Sequence, residues 1–192
     1  MFKNMLYPRA AKYVNTDGVV TYTNPVIAGK AMKGDIEYEY DTGGKIYADG
    51  ELIGAEKRLV GGSVKVGVSR LTPQVRALFG GHTFTAATTG ENATPAKVLV
   101  KVGDEPNEVG YGFVTIESDE SKVEHFYANI FPRLMFTTPK AAYKTEEKQT
   151  SYQTPELESE MLKPVSGVLE DRSEHASAAI ALTYIEDFLG FA

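Results

Sequence analysis

Ser63-Val64-Lys65-Val66-Gly67-Val68-Ser69 decides the fold class. Valine takes every second position, and the residues between are small or charged. A strand sends successive side chains to opposite faces, so Val64, Val66 and Val68 form one apolar row. Burying each of them contributes about 1.5–3 kcal/mol before the entropy of ordering is subtracted. This predicts a core strand. Upstream, residues 35–41 repeat the pattern. Ile36, Tyr38 and Tyr40 share one face, and Asp35, Glu37, Glu39 and Asp41 share the other, which predicts a strand with a buried face and an acidic, solvated face. Thr42-Gly43-Gly44 is expected to break that strand. Between the two strands Asp49-Gly50 is a strong turn signal, and residues 45–62 read as a hairpin or a long protruding loop.

Beyond the valine strand, residues 72–79 predict a short helix. Thr72 suits the cap, Pro73 the first helical position and Gly80-Gly81 the exit. Val75, Leu78 and Phe79 then form one apolar stripe against the core. Strands are predicted at 97–102, with Val98, Val100 and Val102 on one face, at 109–116, and at 123–131 with Phe126, Tyr127 and Phe131. Pro132 is expected to end the last of these or to place it at a sheet edge. Leu157 and Met161 alternate with Glu156, Glu158 and Glu160, a second strand with an acidic face. Residues 163–172 read as a loop. From Glu174 to Phe188 the chain is alanine-rich and reads as a helix, capped by Ser173, with Ala176, Ile180, Tyr184 and Phe188 as its apolar stripe. Residues 1–33 read as an N-terminal arm with one short strand at Val19–Tyr22. The sum is mainly β: an antiparallel β-sandwich or barrel at 34–162, with one short internal helix, followed by a C-terminal loop and helix at 163–192.

The chain has 192 residues, 42% hydrophobic and 24% charged, which suits one globular domain with a real core. Its net charge of −6 argues against broad electrostatic binding of nucleic acid. Cysteine is absent, so a disulfide framework, a thiolate zinc site and a cysteine nucleophile are excluded. Met1 to Arg9 has no apolar core of signal-peptide length, and the longest apolar-looking stretch, Ala176–Ile185, falls short of the roughly 20 residues that cross a bilayer. A soluble product without membrane partners is expected.

Chemistry-bearing motifs are missing. Gly61-Gly62-Ser63-Val64-Lys65 lacks the final glycine of a nucleophile elbow, and neither phosphate-binding glycine motif occurs. The histidines, His82, His125 and His175, lie far apart in sequence, without the spacing of a metal site. Lys140, Lys144 and Lys148 share their segment with Glu146 and Glu147, a mixed-charge stretch rather than a nucleic-acid groove. The expectation is a chain with no catalytic residues, no metal and no cofactor. Residue pattern alone leaves a structural subunit, a binding module and an enzyme open, and the missing motifs put the enzyme last.

Three stretches carry a family resemblance: Ile46-Tyr47-Ala48-Asp49-Gly50-Glu51, then Gly62-Ser63-Val64-Lys65-Val66-Gly67-Val68, then Leu71-Thr72-Pro73-Gln74-Val75-Arg76-Ala77-Leu78-Phe79-Gly80. In that order and spacing they resemble the major tail protein, or tail-tube protein, of long-tailed, non-contractile bacteriophages. Gly110-Tyr111-Gly112-Phe113, the stretch Phe126 to Phe136, and Tyr152-Gln153-Thr154-Pro155 are similar to later pieces of the same family, so the resemblance spans roughly residues 34–162. It implies a structural virion protein of the tail, made in the host cytoplasm. Its β-sandwich subunits would close into hexameric rings, and the rings would stack into a tube that DNA traverses without specific binding. Partners would be further copies of the chain, the tape measure, the tail terminator and the distal tail protein. Tyr47, Asp49 and Gly50 then become candidates for the contact between rings, and Glu37, Glu39, Glu156, Glu158 and Glu160 candidates for the lumen. A head–tail joining or tail-terminator ring protein, and a carbohydrate- or surface-binding β-domain, are the alternatives.

Overall fold

The computed structural model describes residues 1–48, 51–90, 93–137 and 155–191. The chain opens with a hairpin, β1 (Phe2–Thr16) and β2 (Val19–Ile27). Asp17 and Gly18 join them at φ 52° and 85°, the left-handed pair that matches the twist of a tight hairpin. β1 lies between β2 and β7 (Glu108–Ser118), antiparallel to both, with Ala10 and Ala11 fully buried. The arm expected at 1–33 is therefore part of the body. Its alternation is hidden because Tyr7, at φ 55°, and Pro8 shift the register between Leu6 and Arg9. Met5 and Ala10 end up facing one core although they differ in parity.

β3 (Ala31–Ala48) and β4 (Glu51–Val68) form a hairpin of 18 residues a side. Thr42-Gly43-Gly44 does not break β3; the register merely shifts between Thr42 and Lys45, so the glycines make a bulge. α1 (Pro73–Gly80) follows as the sequence predicts, with Thr72 Oγ1 accepting from Val75 N at 3.3 Å and Gly81 closing it at φ 68°. Among the described residues, β5 (Thr83–Thr85) and β6 (Lys97–Leu99) pair only with each other. The strand expected to reach residue 102 stops at Leu99, and Val100 and Val102 are exposed.

β8 (Glu124–Phe136) runs straight through Pro132 in the sheet interior, against the expectation that the proline would end it or mark an edge. The reason is a change of partner. Residues 126–130 pair with β10 (Asp171–His175), whereas 134–136 pair with β9 (Glu156–Met161). Pro132 sits between the two sets, where its missing N–H breaks no ladder bond. α2 (Ala178–Phe188) begins later than predicted, with Ser177 rather than Ser173 as its cap, because residues 171–175 are taken up by β10.

The main sheet has eight antiparallel strands in the order β2-β1-β7-β8-β9-β4-β3, with β10 alongside β8. It curls until Met5 of β1 lies against Gly34 of β3, where a Cβ would stand 2.7 Å from the Met5 sulfur. The concave side holds the main core: Val64, Val66 and Val68 with Phe79 from α1 and Tyr111, Phe131 and Phe136. The convex side of β1, β7 and β8 is covered by α2 through Ala181, Ile185 and Leu189. The helix thus buries the stripe next to the predicted one; Ile180 and Tyr184 are exposed. Both stripes are apolar, and the sheet decides between them. Gly110 and Gly112 leave space that Leu189 and Ile185 fill, since a Cβ at either glycine would come within 2.8 Å and 2.7 Å of those side chains. Among the described residues no helix is long and apolar enough to cross a membrane.

Candidate functional site

The pairing of β3, β4 and β9 fixes where the acidic residues stand. Directly opposed residues in antiparallel strands share a face. Asp35, Lys65 and Glu158 form one row across the three strands, and Glu37, Ser63 and Glu160 the next. Glu156 completes the array beside Gly67 and Lys33. Two acidic patterns more than a hundred residues apart thus lie on a single outer face of the sheet. The opposite face carries Ile36, Val64 and Ser159, with Ser159 Oγ donating to Val64 O at 2.8 Å.

Only part of the array is neutralised. Lys33 Nζ lies 2.8 Å from Asp35, a bond that raises the lysine pKa, and Lys65 Nζ lies 3.5 Å from Glu158. Glu37, Glu39 and Glu160 have no ion pair among the described residues. The face is a solvated wall of net negative charge.

β9 pairs with β4 only over residues 63–67. Among the described residues, the rest of the β3–β4 hairpin, residues 38–48 and 51–62, has no further strand beside it. At about 3.3 Å per residue, residues 38–48 form a ribbon roughly 35 Å long. Every side chain from 38 to 44 and from 56 to 60 is exposed. Tyr38, Tyr40 and Leu59 continue the core face of the sheet but remain exposed among the described residues; Tyr40 is 54% exposed. The predicted buried face of residues 35–41 is therefore corrected: its side chains point the right way, but the body ends before it can cover them.

The two margins of the sheet differ. β2 carries Asn24 at φ 52° followed by Pro25, both of which spoil a template for strand addition. β3 contains no proline along its 18 residues, and among the described residues no strand pairs with its outer margin.

Other polar clusters tie the fold together. His82 Nδ1 meets Asp104 Oδ2 at 2.8 Å, and the same oxygen accepts from Lys101 N; the amide first and the histidine second hold the Asp104 carboxyl below its usual range. His125 Nδ1 lies 2.7 Å from Glu174, which raises the histidine pKa and joins β8 to β10. Among the described residues no group of acids and histidines could hold a metal.

Of the residues singled out for contact between rings, Tyr47 falls on β3 opposite Leu52, near the tip of the ribbon. Asp49 and Gly50 lie outside the described residues, as do Lys140, Lys144 and Lys148. Of the lumen candidates, Glu37, Glu156, Glu158 and Glu160 share the wall, whereas Glu39, opposite Gly61, stands past the end of β9 and belongs to the ribbon. The sequence reading missed the contrast between the two margins, although Asn24-Pro25 is a legible signal for it. No family model matches the chain, and no characterised protein is significantly similar to it.

Proposed function

We propose that the chain is a self-assembling structural protein, the tail-tube subunit of a long-tailed, non-contractile bacteriophage. The observation that carries the reading is the ribbon of β3 and β4. A two-stranded ribbon is marginal in water on its own, and an unpaired margin is a template for another strand. Among the described residues, Tyr38, Tyr40 and Leu59 stay exposed on this ribbon and no strand pairs with its outer margin. Further copies would cover them. A contact between unlike patches closes into a ring when its rotation closes, and a second such contact stacks the rings.

In this reading the wall of Glu37, Glu156, Glu158 and Glu160 faces the channel. Like charge keeps DNA from adhering as it passes. No catalysis and no cofactor is invoked. The ends of the stack would meet the tape measure, terminator and distal tail proteins of the virion.

Deleting residues 51–58 tests the reading by sedimentation velocity at high concentration. The full chain should form large polymers. The shortened chain should stay monomeric while keeping its circular dichroism spectrum and thermal melt. Polymers of equal size from both chains would remove the ribbon as the contact.

A further inference from the structure

Two thioethers grip the β3–β4 hairpin at its root. On one flank Met5 of β1 lies over Gly34 of β3, its sulfur 2.7 Å from the point where a Cβ would stand. On the other flank Met161, the last residue of β9, lies over Gly62 of β4, its sulfur 3.0 Å from the corresponding point. Each sulfur takes the space that a side chain on the hairpin would need. Gly34 stands opposite Val66 and Gly62 opposite Tyr38, so both glycines are on the core face. Both methionines belong to the main core, and each is 6% exposed, an opening that admits only a small reagent.

The chain has no cysteine, so its five methionines carry all of its sulfur. A thioether is soft and polarisable, and hydrogen peroxide converts it to a sulfoxide. The sulfur attacks one peroxide oxygen. An S–O bond forms, the O–O bond breaks, and the sulfur gives up two electrons. The departing hydroxide takes the proton left on the transferred oxygen and leaves as water. The product carries a polar acceptor in place of an apolar sulfur. At Met5 or Met161 that oxygen enters the core beside the glycines, where burying an acceptor without a donor is unfavourable. The hairpin is the part that can yield, because from Gly62 towards the tip β4 has only β3 beside it among the described residues.

We infer that Met5 and Met161 are modification sites at which a hydroperoxide loosens the root of the ribbon, and at which reduction of the sulfoxides seats it again. The other three methionines serve as internal references. Met1 and Met32 are exposed, and Met135 stands opposite Glu160, on the outer face of the sheet. The sites stand on the fold alone; their effect on assembly rests on the proposed function.

The test is a time course of the intact chain in hydrogen peroxide. Peptide mass spectrometry reads oxygen uptake at each methionine, sedimentation velocity reads polymers, and amide hydrogen exchange reads residues 36–40 and 60–64. Met1 and Met32 should oxidise first, without effect. As Met5 and Met161 take up oxygen, polymers should be lost and exchange at the root should accelerate. A thiol-driven methionine sulfoxide reductase should reverse both changes. The double variant Met5→Leu with Met161→Leu nearly conserves side-chain volume and should keep its polymers and its slow exchange at the same dose. Reversal by the reductase needs no variant, so it decides the matter where the double variant does not fold. Changes that precede oxygen uptake at Met5 and Met161, or that appear equally in the double variant, overturn the inference. So do root amides that exchange no faster once both sulfurs are oxidised, and sulfurs at both positions that stay reduced throughout. An untreated chain that never polymerises overturns the tube reading instead, and exchange at the root then decides the grip by itself.

Discussion

The docking of α2 on the glycines of β7 can be tested by a double-mutant cycle. A Cβ on Gly112 would stand 2.7 Å from Ile185 Cγ2, inside any real contact, and 3.3 Å from Asn129 O. Ile185 is fully buried, so it can yield only by lifting the helix or leaving its rotamer. Overpacking of this kind costs about 1–3 kcal/mol, offset in part by the roughly 0.5–1 kcal/mol that alanine gains over glycine in a strand. Gly112→Ala should therefore destabilise by about 1–2 kcal/mol. Ile185→Ala removes both Cγ atoms and leaves a cavity, at a cost of about 2–5 kcal/mol. In the double variant the new methyl no longer meets the Ile185 side chain and fills part of that cavity, leaving only the 3.3 Å approach to Asn129 O. Its loss should fall short of the summed single losses by about 1 kcal/mol or more. Urea unfolding followed by far-ultraviolet circular dichroism measures all four corners, the chain having no tryptophan. Additivity within about 0.5 kcal/mol would mean that Ile185 does not sit on Gly112, and the account of the convex core would fall.

Other outcomes follow from single groups. Tyr111 is fully buried with no partner for its hydroxyl among the described residues, and burial alone pushes its pKa up; Tyr111→Phe should leave stability unchanged or raise it by about 1 kcal/mol in the same urea assay. Thr72→Ala removes the acceptor for Val75 N and should cost about 1 kcal/mol. His125 has its pKa raised mainly by the bond it donates to Glu174, with desolvation opposing it, so its contribution is full below the unfolded value near 6.5 and is lost as pH rises through the folded value. Its imidazole protons, followed by NMR, should titrate above about 6.5, and Glu174→Gln should bring the midpoint down; an unmoved midpoint would contradict the assignment.

The parts of the fold legible in the sequence are those where local pattern and packing agree. Val64, Val66 and Val68 alternate because one face of β4 is core and the other solvent, and nothing interrupts the period. Thr72, Pro73 and Gly81 mark α1 because capping is chemistry within one turn. Elsewhere a long-range event overrides the local signal. Pro8 and Pro132 lie inside strands because a bulge in one case and a change of partner in the other make room for them. The buried stripe of α2 depends on two glycines in β7, more than sixty residues away. The acidic wall is half legible: each strand shows its own glutamates, but only the β4–β9 register reveals that Glu37 and Glu160 share a face. The uncovered aromatic face of Tyr38 and Tyr40 is invisible to periodicity, which reports the side of a strand and not where its cover ends.

The claim that the chain works by adding copies of itself is tested most directly by negative-stain electron microscopy of the intact, concentrated protein. Stacked rings forming long tubes with an open axial channel are the expected image. Particles of single-chain size at every concentration and salt, or closed rings that never stack, would contradict it.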